Sequence, residues 1–424
     1  MPASSPRGDR VPAPVSSGPT RSLAYLVSQY PALSMAFVVR EVRELRKLGF
    51  RIDTASINPS DRPSESLTEE EREEFRGTYY VKTDGLFGAA KAHLQTLPTN
   101  PRGYCQGLAL FLHLGGLDLR KQFLNLMYFT EALMVGQWMR RRSQAHLHCH
   151  LGQQAATVGL YVRNVCRRGF SITVHGPDEF YDVKGQYLAR KIAAADFVVC
   201  ISSFARSRLM ILSPRSHWDK FIVSRLGVDP QLFSPPDQKP SNDVVEILCV
   251  GRLVPSKGQH ILIAAVDRLV QQSCPVRLRI AGSGPDESSL QAHAAQLAQP
   301  SCVCFEGAVD QDRIRTLYAA ADIFCLPSFA EGVPVALMEA MSMGLPCVTT
   351  NITGIPELIR DGIEGLLVSP SDLDALVEAL AKLIDDATLR QRLANGARKR
   401  ILEHYNLHRN VQLLASYFAE RVGP

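Results

Sequence analysis

The sequence predicts an α/β protein with two doubly wound, Rossmann-like parallel sheets. Short apolar, β-rich runs alternate with helix-length amphipathic segments along the chain. A stretch with four prolines, 229–243, interrupts this alternation, and the pattern then restarts. At 424 residues the chain is longer than one ordinary domain. Because such sheets bind ligands at the carboxyl ends of their strands, we expect two domains facing each other across a binding cleft.

The predicted organisation has five segments. Residues 1–20 are rich in Pro, Ser and Gly and lack an apolar run, which predicts a disordered tail and no secretory signal. Residues 21–230 form the first domain, and 231–243 form the linker. Residues 244–404 form the second domain. Residues 405–424 are expected to form a helix that packs back towards the first domain.

The first domain is predicted to contain five of the strands and a clear early helix. The strands are predicted at 23–27, 52–55, 145–149, 170–174 and 197–201. A helix is predicted over 34–48, where apolar residues recur at helical spacing and Gly49 ends the run. Residues 60–77 are highly charged and acidic, so we expect an exposed helix or loop there.

The second domain repeats the alternation. Its strands are predicted at 247–250, 276–280, 302–305, 323–326, 347–349 and 365–368. The clearest helix is predicted over 371–386, where Leu373, Leu376, Leu380 and Leu383 share one face.

Composition indicates a globular protein from a reducing compartment. Hydrophobic residues make up 46% of the chain and charged residues 21%, which is ordinary for a soluble protein. The ten cysteines are scattered and form no Cys-x-x-Cys motif, which favours small buried thiols over a disulfide framework or a zinc site. We therefore expect a cytoplasmic protein.

Charge is divided unevenly between the two halves. Residues 21–230 carry 28 Lys and Arg against 19 Asp and Glu, whereas 231–424 carry 17 against 22. This asymmetry suggests that the first half faces something anionic. The apolar run 123–129 and Trp138 precede the basic cluster 140–142, which permits two interpretations. Either the segment makes peripheral contact with an anionic membrane at its inner face, or it is a core helix with a solvated basic end.

The sequence predicts neither a bilayer-spanning helix nor binding of nucleic acid. Glu131 interrupts the best apolar segment, so no bilayer-spanning helix is expected. The basic residues are dispersed and lack an aromatic–basic signature, so nucleic acid is not an expected partner.

Two glutamates, Glu331 and Glu339, stand eight positions apart around a predicted helix start. Between them Gly332 allows close backbone approach, and Pro334 suits the first position of a helix. The free N–H groups of a helix start attract a phosphate or a sugar oxygen. Carboxylates on either side could hold two groups of hydroxyls, as a nucleotide sugar requires.

Two further loops follow predicted strands of the second domain. The loop 251–258 places Arg252 and Lys257 at a strand end, although it is neither a Walker A loop nor a Gly-x-Gly-x-x-Gly fingerprint. Both cations suit a bound anion, and the alternative is an ordinary surface loop with solvated cations. Gly282 and Gly284 end the next strand, where they permit either close approach to a nucleotide or a simple βα turn.

The first domain contributes candidate histidines. His175 follows a strand and precedes Gly-Pro, so it is a candidate for hydrogen bonding in a cleft, the alternative being a satisfied structural histidine. His146, His148 and His150 alternate along a strand and share one face. No acidic partner is apparent for them, so no metal site is predicted. His150, at the strand end, could reach the cleft.

Several spaced motifs of the second half agree in order with one known family. The segments 250–258, 280–285, 326–332, 339–346 and 354–359 resemble the retaining nucleotide-sugar glycosyltransferases of family 4, which have the GT-B fold. The first half matches more loosely, at 28–37, 148–150, 173–176, 200–202 and 226–229. The combination is similar to the bacterial exopolysaccharide branch of the family, including transferases of the colanic-acid type.

The resemblance implies transfer of a sugar from a nucleoside diphosphate sugar to a hydroxyl of a glycan or lipid-linked saccharide, with retention and without a metal or other cofactor. Arg252 and Lys257 would neutralise the donor diphosphate. Glu339 would bind the ribose hydroxyls, and Glu331 would lie near the hydroxyls of the donor sugar. His175 would line the sugar side of the cleft. The first domain, 21–230, would lie on the acceptor side, and the second, 244–404, would bind the nucleotide sugar.

The remaining predicted substrate contacts come from backbone in the glycine-containing loops. Gly332 and Val333 would touch sugar and phosphate. The full predicted set of substrate-binding residues is Gly251, Gly282, Gly284, Gly332, Val333, Pro334 and Glu339.

The sequence departs from the family at two positions and leaves other functions open. Residues 28–31 read Ser-Gln-Tyr-Pro where many relatives carry Gly-Gly, and Thr353 stands where a glycine is frequent. A catalytically silent nucleotide-sugar-binding scaffold of a polysaccharide assembly complex is one alternative, and an epimerase of the same fold is another. A phosphorylase would need a lysine for pyridoxal phosphate, and none is identified.

Overall fold

The computed structural model describes residues 21–237 and 244–423. The predicted tail and residues 238–243 of the predicted linker lie outside the described residues. The chain divides into two compact units. The first unit runs to Ile201 and includes Ala205–Ser224 and the chain from His408 onward, whereas the second comprises Ser202–Phe204 and Arg225–Leu407. Each unit is built on one parallel sheet, which confirms the predicted fold class.

The first unit contains a seven-stranded parallel sheet in the order β3-β2-β1-β4-β5-β6-β7. The strands are β1 Ser22–Gln29, β2 Arg51–Asn58, β3 Tyr79–Tyr80, β4 His146–His150, β5 Gly169–Val174, β6 Phe197–Cys200 and β7 Phe221–Val223. The strand order reverses between β1 and β4, which pair with Ala24 opposite Leu147. In doubly wound sheets such a reversal opens a crevice at the carboxyl ends of the strands.

Helices cover the sheet of the first unit. They are α1 Ala36–Lys47, α2 Glu69–Gly77, α3 Gly85–Thr99, α4 Pro101–Gly115, α5 Leu119–Arg141, α6 Gln154–Cys166, α7 Asp178–Tyr181, α8 Leu188–Ala194 and α9 Ser203–Ile211. The last helix, Leu407–Arg421, also belongs almost entirely to this unit. Its Phe418 is fully buried, with its ring centroid 5.0 Å from that of His148 on β4 and 6.0 Å from that of Phe197 on β6.

The second unit contains a six-stranded parallel sheet in the order β10-β9-β8-β11-β12-β13. The strands are β8 Val245–Val250, β9 Val276–Ala281, β10 Val303–Gly307, β11 Ile323–Leu326, β12 Cys347–Thr350 and β13 Gly365–Val368. The helices are α10 Gln259–Gln271, α11 Glu287–Ala294, α12 Gln311–Ala320, α13 Val335–Ser342, α14 Ile355–Leu358, α15 Leu373–Asp385 and α16 Ala387–His404; the last helix, Leu407–Arg421, is α17.

The acidic segment 60–77 is less exposed than expected. It ends in α2, whose start is fixed by a capping box between Thr68 and Glu71. Glu71 and Glu74 are nonetheless buried. Glu71 pairs with Arg62 at 2.8 Å, and Glu74 pairs with Arg46. The expectation of a wholly exposed segment is therefore wrong for these two side chains, because an arginine of the same segment and one from α1 compensate their burial.

The apolar segment before the basic cluster divides into two parts within α5. From Phe129 to Met139 the helix is almost entirely buried, and Trp138 stacks on Tyr79 with ring centroids 5.8 Å apart. The basic residues 140–142 are exposed, so this half is a core helix with a solvated end. Phe123 and Leu126, near the start of the helix, are exposed. Within the described chain, no helix has the length and apolar character to cross a bilayer.

Candidate active site

Three loops meet at the carboxyl ends of adjacent strands of the second unit. They follow β9, β8 and β11, which are neighbours in the sheet. The backbone N–H of Leu253 donates to the carbonyl of Ser283 at 3.0 Å, and Phe329 N–H donates to Ser256 at 2.7 Å. A Cβ on Gly258 would lie 2.3 Å from the Pro327 oxygen. The predicted site segments are therefore packed against one another.

The glycines after β9 are required by this packing. Gly282 has φ +144°, and a Cβ there would lie 1.9 Å from the Gly251 carbonyl oxygen. A Cβ on Gly284 would lie 2.2 Å from the Leu253 oxygen. Any side chain at either position would push the loop after β9 away from the loop after β8. The glycines thus bring two loop backbones together at the edge where a nucleotide would be bound.

Lys257 and Glu331 form the central contact of the site. The Lys257 Nζ lies 2.6 Å from Glu331 Oε1, and the Ser328 hydroxyl donates to the same oxygen at 2.7 Å. The Glu331 side chain is buried, and that of Lys257 is about one-fifth exposed. The two residues, 74 positions apart in sequence, are thus brought into direct contact, and a carboxylate balances one of the two predicted phosphate-binding cations.

Arg252 is the second predicted phosphate-binding cation, and its side chain is exposed. The Gln259 amide holds the Arg252 carbonyl at 2.9 Å, which fixes the backbone at that position. Within residues 21–237 and 244–423, the Arg252 guanidinium has no hydrogen-bond or ion-pair partner. Its planar fork is therefore available for an anion.

Glu339 lies on α13 and is buried. The Tyr318 hydroxyl lies 3.3 Å from Glu339 Oε2 and 3.1 Å from the Ala336 carbonyl oxygen. Pro334 has an extended ψ of 126° and precedes the helix, which begins at Val335. The expectation of Pro334 as the first helical residue is therefore wrong by one position, since its backbone is not helical.

The loop that carries Glu331, Gly332 and Val333 rests on residues after β12. A Cβ on Gly354 would lie 2.5 Å from the Gly332 oxygen. Thr353 has a left-handed φ of +46°, and its hydroxyl donates to the Glu331 carbonyl. A left-handed backbone favours glycine, which explains why glycine is frequent at this position in the family that the sequence resembles. In this chain the threonine hydroxyl instead ties the Glu331 loop to its neighbour.

His175 follows β5 in the first unit and is buried at the end of a hydrogen-bonded chain. Its Nε2 lies 3.2 Å from His150 Nδ1, and His150 Nε2 lies 3.0 Å from Glu41 Oε1. The Tyr25 hydroxyl donates to the same Glu41 oxygen at 2.9 Å. The expectation that these histidines lack an acidic partner is therefore wrong. The signal in the sequence was a glutamate beside Val42 within an apolar helix face, on a segment more than 100 residues from the histidines.

Burial keeps His175 and His148 neutral. It lowers the pKa of the His175 imidazole well below its ordinary value, and the neighbouring His150 lowers it further. Burial likewise lowers the pKa of His148 well below its ordinary value. At neutral pH, His175 and His148 therefore act through hydrogen bonds rather than through positive charge.

Glu41, His148 and His150 lie close enough together to hold a metal ion. Both ring nitrogens of His148, however, bond to hydroxyls, those of Ser171 and Thr173, at 2.8 Å each. The two nitrogens of His150 are engaged by Glu41 and His175. Partners within the protein thus satisfy these nitrogens, which favours a hydrogen-bonded network over a metal centre.

A buried Glu179–Lys191 pair supports the loop that carries His175. Glu179 accepts from the backbone N–H groups of His175 at 2.6 Å and Gly176 at 2.8 Å, and from that of Gly152. The Lys191 ammonium donates to the Gly152 carbonyl at 2.7 Å. Burial raises the pKa of Glu179 to about 7 and lowers that of Lys191 to about 7. Neither residue was singled out from sequence, because each stands in an ordinary charged context there.

Sequence comparison assigns the second unit to a family. Residues 233–400 match the sequence family described as Glycosyl transferases group 1. This range contains every predicted site residue except His175.

Relatives match most of the chain. It is 29% identical over 388 residues to the glycosyltransferase WcaL of Escherichia coli, assigned to colanic acid biosynthesis, covering 85% of this chain and 89% of that protein. It is 32% identical over 283 residues to WcaL of Salmonella typhimurium, which is also assigned to colanic acid biosynthesis. That match covers 63% of this chain and 68% of that protein. It is 26% identical over 398 residues to the amylovoran biosynthesis glycosyltransferase AmsK of Erwinia amylovora, covering 91% and 96%.

Solved structures show the same fold. HepE of Anabaena, solved with UDP-glucose, superposes with a TM-score of 0.70 at 17% identity, covering 94% of this chain and 99% of that one. The sucrose-phosphate synthase of Thermosynechococcus elongatus superposes with a TM-score of 0.72 at 18% identity, covering 94% and 99%. From its relatives and its fold together, the chain belongs to the group 1 glycosyltransferases and has the GT-B architecture.

Proposed function

We propose that this glycosyltransferase moves a sugar from a nucleoside diphosphate sugar to a hydroxyl of a glycan or lipid-linked saccharide during exopolysaccharide biosynthesis, with retention of anomeric configuration. The WcaL and AmsK relatives are named for colanic acid and amylovoran biosynthesis, which supports the pathway class. The HepE structures hold UDP or UDP-glucose, which supports the donor class. Membership of family 4, and with it retention, rests on the motif resemblance described above.

The observation that carries this proposal is the Lys257–Glu331 pair beside the exposed Arg252. A diphosphate needs cations, whereas a sugar ring needs hydrogen-bond acceptors for its hydroxyls. In one contact the site presents an ammonium and a carboxylate 2.6 Å apart. The diphosphate would draw the Lys257 ammonium to itself, and Glu331 would then be free to accept from a sugar hydroxyl.

The same groups stabilise the charge that develops during transfer. As the bond between the sugar and the diphosphate breaks, negative charge accumulates on the phosphate oxygens. Arg252, Lys257 and the N–H groups at the start of α13 would stabilise that charge without a metal ion. Because the loops that carry these groups are packed against one another, their backbones need little reorganisation at the moment of reaction.

Bond formation on the same face of the sugar gives retention. The departing phosphate oxygen would take the proton of the acceptor hydroxyl, so that the new C–O bond forms where the old one breaks. Glu339, oriented by Tyr318, would hold the ribose hydroxyls. The neutral His175 would hydrogen-bond a hydroxyl of the transferred sugar.

The proposal is tested by incubating the purified protein with UDP-, GDP- and ADP-sugars and a panel of saccharide acceptors, with and without a chelator. A thermal-shift screen selects the donor first, since a ligand at about 100 times its Kd stabilises by roughly 2.7 kcal/mol. We expect a glycoside product of the donor's anomeric configuration, formed equally well in the chelator. Donor binding without transfer would favour the scaffold, and release of a free isomerised sugar would favour an epimerase. Loss of activity in the chelator would contradict the metal-free mechanism.

A further inference from the structure

Helices α3 and α4 of the first unit are packed through small residues. A Cβ on Gly103 would lie 2.2 Å from the Val165 carbonyl oxygen of α6, and one on Gly107 would lie 2.4 Å from the Phe129 ring of α5. In α3 the buried positions are Ala92 and Thr96. On α4 the buried Leu114 and the partly buried Tyr104, Leu110 and Phe111 also pack against the core, which leaves the other large apolar residues of the two helices outside it.

Those large residues face outward. Phe87 is 82% exposed and Leu94 75% exposed on α3, and Leu119, at the start of α5, is 80% exposed. Most of the exposed large apolar side chains in the described chain lie between Leu86 and Leu126. We name them the apolar helical face: Leu86, Phe87, Leu94, Leu97, Leu108, Leu112, Leu117, Leu119, Phe123, Leu124 and Leu126. Because α3, α4 and α5 pack against one another, this concentration of exposed apolar side chains indicates an interaction surface rather than scattered exposure.

The surroundings of the apolar helical face are basic. Helices α3 and α4 contain no acidic residue and expose Lys91 and Arg102. Arg120 and Lys121 are exposed in the first turn of α5. The nearby Asp118 is occupied as the N-terminal cap of α5, where it accepts from two backbone N–H groups. The face thus joins apolar side chains with unopposed cations.

An arginine-lined groove runs along α4. It has a volume of about 840 Å3 and lies between α4, α6 and α8, where Arg163, Arg167 and Arg190 line it. Arg163 pairs with Asp196 at 2.8 Å. Among the described residues, neither Arg167 nor Arg190 has a carboxylate partner. On α4 the groove residues Ala109 and His113 directly follow Leu108 and Leu112 of the apolar helical face.

We propose that the apolar helical face docks on an anionic lipid bilayer, with its phenylalanines and leucines in the interfacial layer and the flanking cations and groove arginines on lipid phosphates. Charge complementarity favours a bilayer, because an apolar surface whose flanking charges are mostly Lys and Arg, with Asp118 engaged as a helix cap, matches anionic headgroups above acyl chains. The sequence placed membrane contact at 123–142. The structure moves it to α3, α4 and the first turns of α5, since Trp138 and its neighbours are buried in the core.

The experiment is cosedimentation of the full-length protein with vesicles of phosphatidylcholine alone and of phosphatidylcholine mixed with phosphatidylglycerol, at low and high ionic strength. We expect binding to the mixed vesicles, weaker binding at high salt, and little binding to phosphatidylcholine alone. Because lipid partitioning is measured without any sugar donor, this test is independent of the proposed enzymatic function.

Two triple variants separate the apolar and the electrostatic contributions. Phe87→Ser, Leu94→Ser and Leu112→Ser together should lower the partition coefficient by roughly 100-fold. The matched control changes three exposed apolar residues elsewhere, Ile211→Ser, Ile363→Ser and Leu402→Ser, and should leave partitioning unchanged.

The charge variant is Lys91→Glu, Arg102→Glu and Arg120→Glu. Loss of three cations from an anionic surface implies a decrease of about 100-fold at low salt, since each contributes roughly fivefold. The control variant carries Arg76→Glu, Arg215→Glu and Lys382→Glu, three exposed positions outside the apolar helical face. Its net charge is the same as that of the test variant, so it reports the effect of net charge alone.

The proposal is overturned if the wild-type protein stays in the supernatant with phosphatidylglycerol vesicles at low salt, or if each control variant loses binding as fully as its test variant. It is also overturned if light scattering finds a dimer that the Phe87, Leu94 and Leu112 variant dissociates, because the face would then be occupied by a second copy. Circular dichroism of each variant confirms that loss of binding is not loss of fold.

Discussion

The ammonium of Lys257 lies 2.6 Å from the buried carboxylate of Glu331, although the two residues belong to loops that follow different strands. Each neutralises the other when no substrate is present, so neither charge is buried alone. A phosphate ligand would compete with Glu331 for the ammonium, and the carboxylate would take up sugar hydroxyls in exchange. We therefore expect the contact to link recognition of the diphosphate to recognition of the sugar.

Removing either candidate phosphate-binding cation should slow catalysis more than it weakens donor binding. We expect Arg252→Ala and Lys257→Ala each to lower kcat by roughly 10²–10³-fold, as loss of an oxyanion-stabilising donor does in other enzymes. Arg252→Lys should recover only part of the rate, because lysine lacks the bidentate fork. The measurement is steady-state kinetics with the selected donor. Lys382→Ala, an exposed cation on α15, is the control, and full turnover by either alanine variant would contradict the charge-stabilisation mechanism.

The Lys257–Glu331 contact should also show energetic coupling. Lys257→Met leaves the buried Glu331 carboxylate without its ammonium and should lower the free energy of unfolding by roughly 1–3 kcal/mol. Glu331→Gln keeps an acceptor for Ser328 and removes the charge. The double variant should therefore lose less stability than the sum of the losses in the two single variants. Denaturant unfolding of the four proteins measures the coupling. Strict additivity would mean that the pair contributes nothing to the folded loop.

The Glu41–His150–His175 chain should act by positioning His175. Glu41→Leu removes the acceptor that orients His150 and should lower kcat by about tenfold, the equivalent of one hydrogen bond of roughly 1.4 kcal/mol. Glu41→Gln retains an acceptor and should restore most of the rate. Comparison of kcat and the donor KM for both variants with those for His175→Ala tests the assignment. An equal loss in Glu41→Leu and Glu41→Gln would indicate a requirement for negative charge rather than for orientation.

Glu131 on α5 should make stability depend on pH. Both of its carboxylate oxygens are buried and, within the described chain, lack a hydrogen-bond partner. Burial raises its pKa from 4.5 to about 7. Between these values the unfolded chain loses the proton first, so the contribution of Glu131 to stability is greatest below pH 4.5 and is lost as pH rises through about 7.

Glu131→Gln removes this ionisation and should therefore stabilise the protein at alkaline pH. The expected gain in the free energy of unfolding is roughly 2–3 kcal/mol at about pH 8, decreasing towards zero near about pH 5. Denaturant unfolding at several pH values measures it, with Glu420→Gln on α17 as the control for removal of a more exposed carboxylate. A difference that stays constant with pH would show that Glu131 does not ionise differently in the folded and unfolded chains.

Much of the fold could be predicted because each element carries its own local pattern. The helix predicted over 371–386 is observed at Leu373–Asp385, where the Asp372 side chain caps its start by accepting from the Ala375 N–H. The loop residues Arg252, Lys257 and Glu331 were identified because they follow apolar strands, and parallel strands bring their carboxyl ends to one edge.

The distant partners of buried charged side chains could not be predicted in the same way. Glu74 looks like an ordinary helix-surface glutamate in the sequence, and the place of Glu41 in an apolar helix face does not identify its partner. Both are buried against distant partners, Arg46 and His150 respectively. The outward orientation of Leu94 and Leu112 was equally hidden. Apolar residues in a helix predict a buried face, and only the contacts of Gly103, Gly107 and Leu114 show which side of α4 faces the core.

The sequence by itself determined the two parallel sheets, the loops that end their strands and the chemical types of side chain that those loops carry, because periodicity and turn residues act over a few neighbouring positions. Only the tertiary structure decided that Lys257 is paired with Glu331, that His175 is held by His150 and Glu41, and that the helices α3 and α4 expose their large apolar side chains. These outcomes depend on which distant segments meet, and contact between residues far apart in the chain leaves no local pattern.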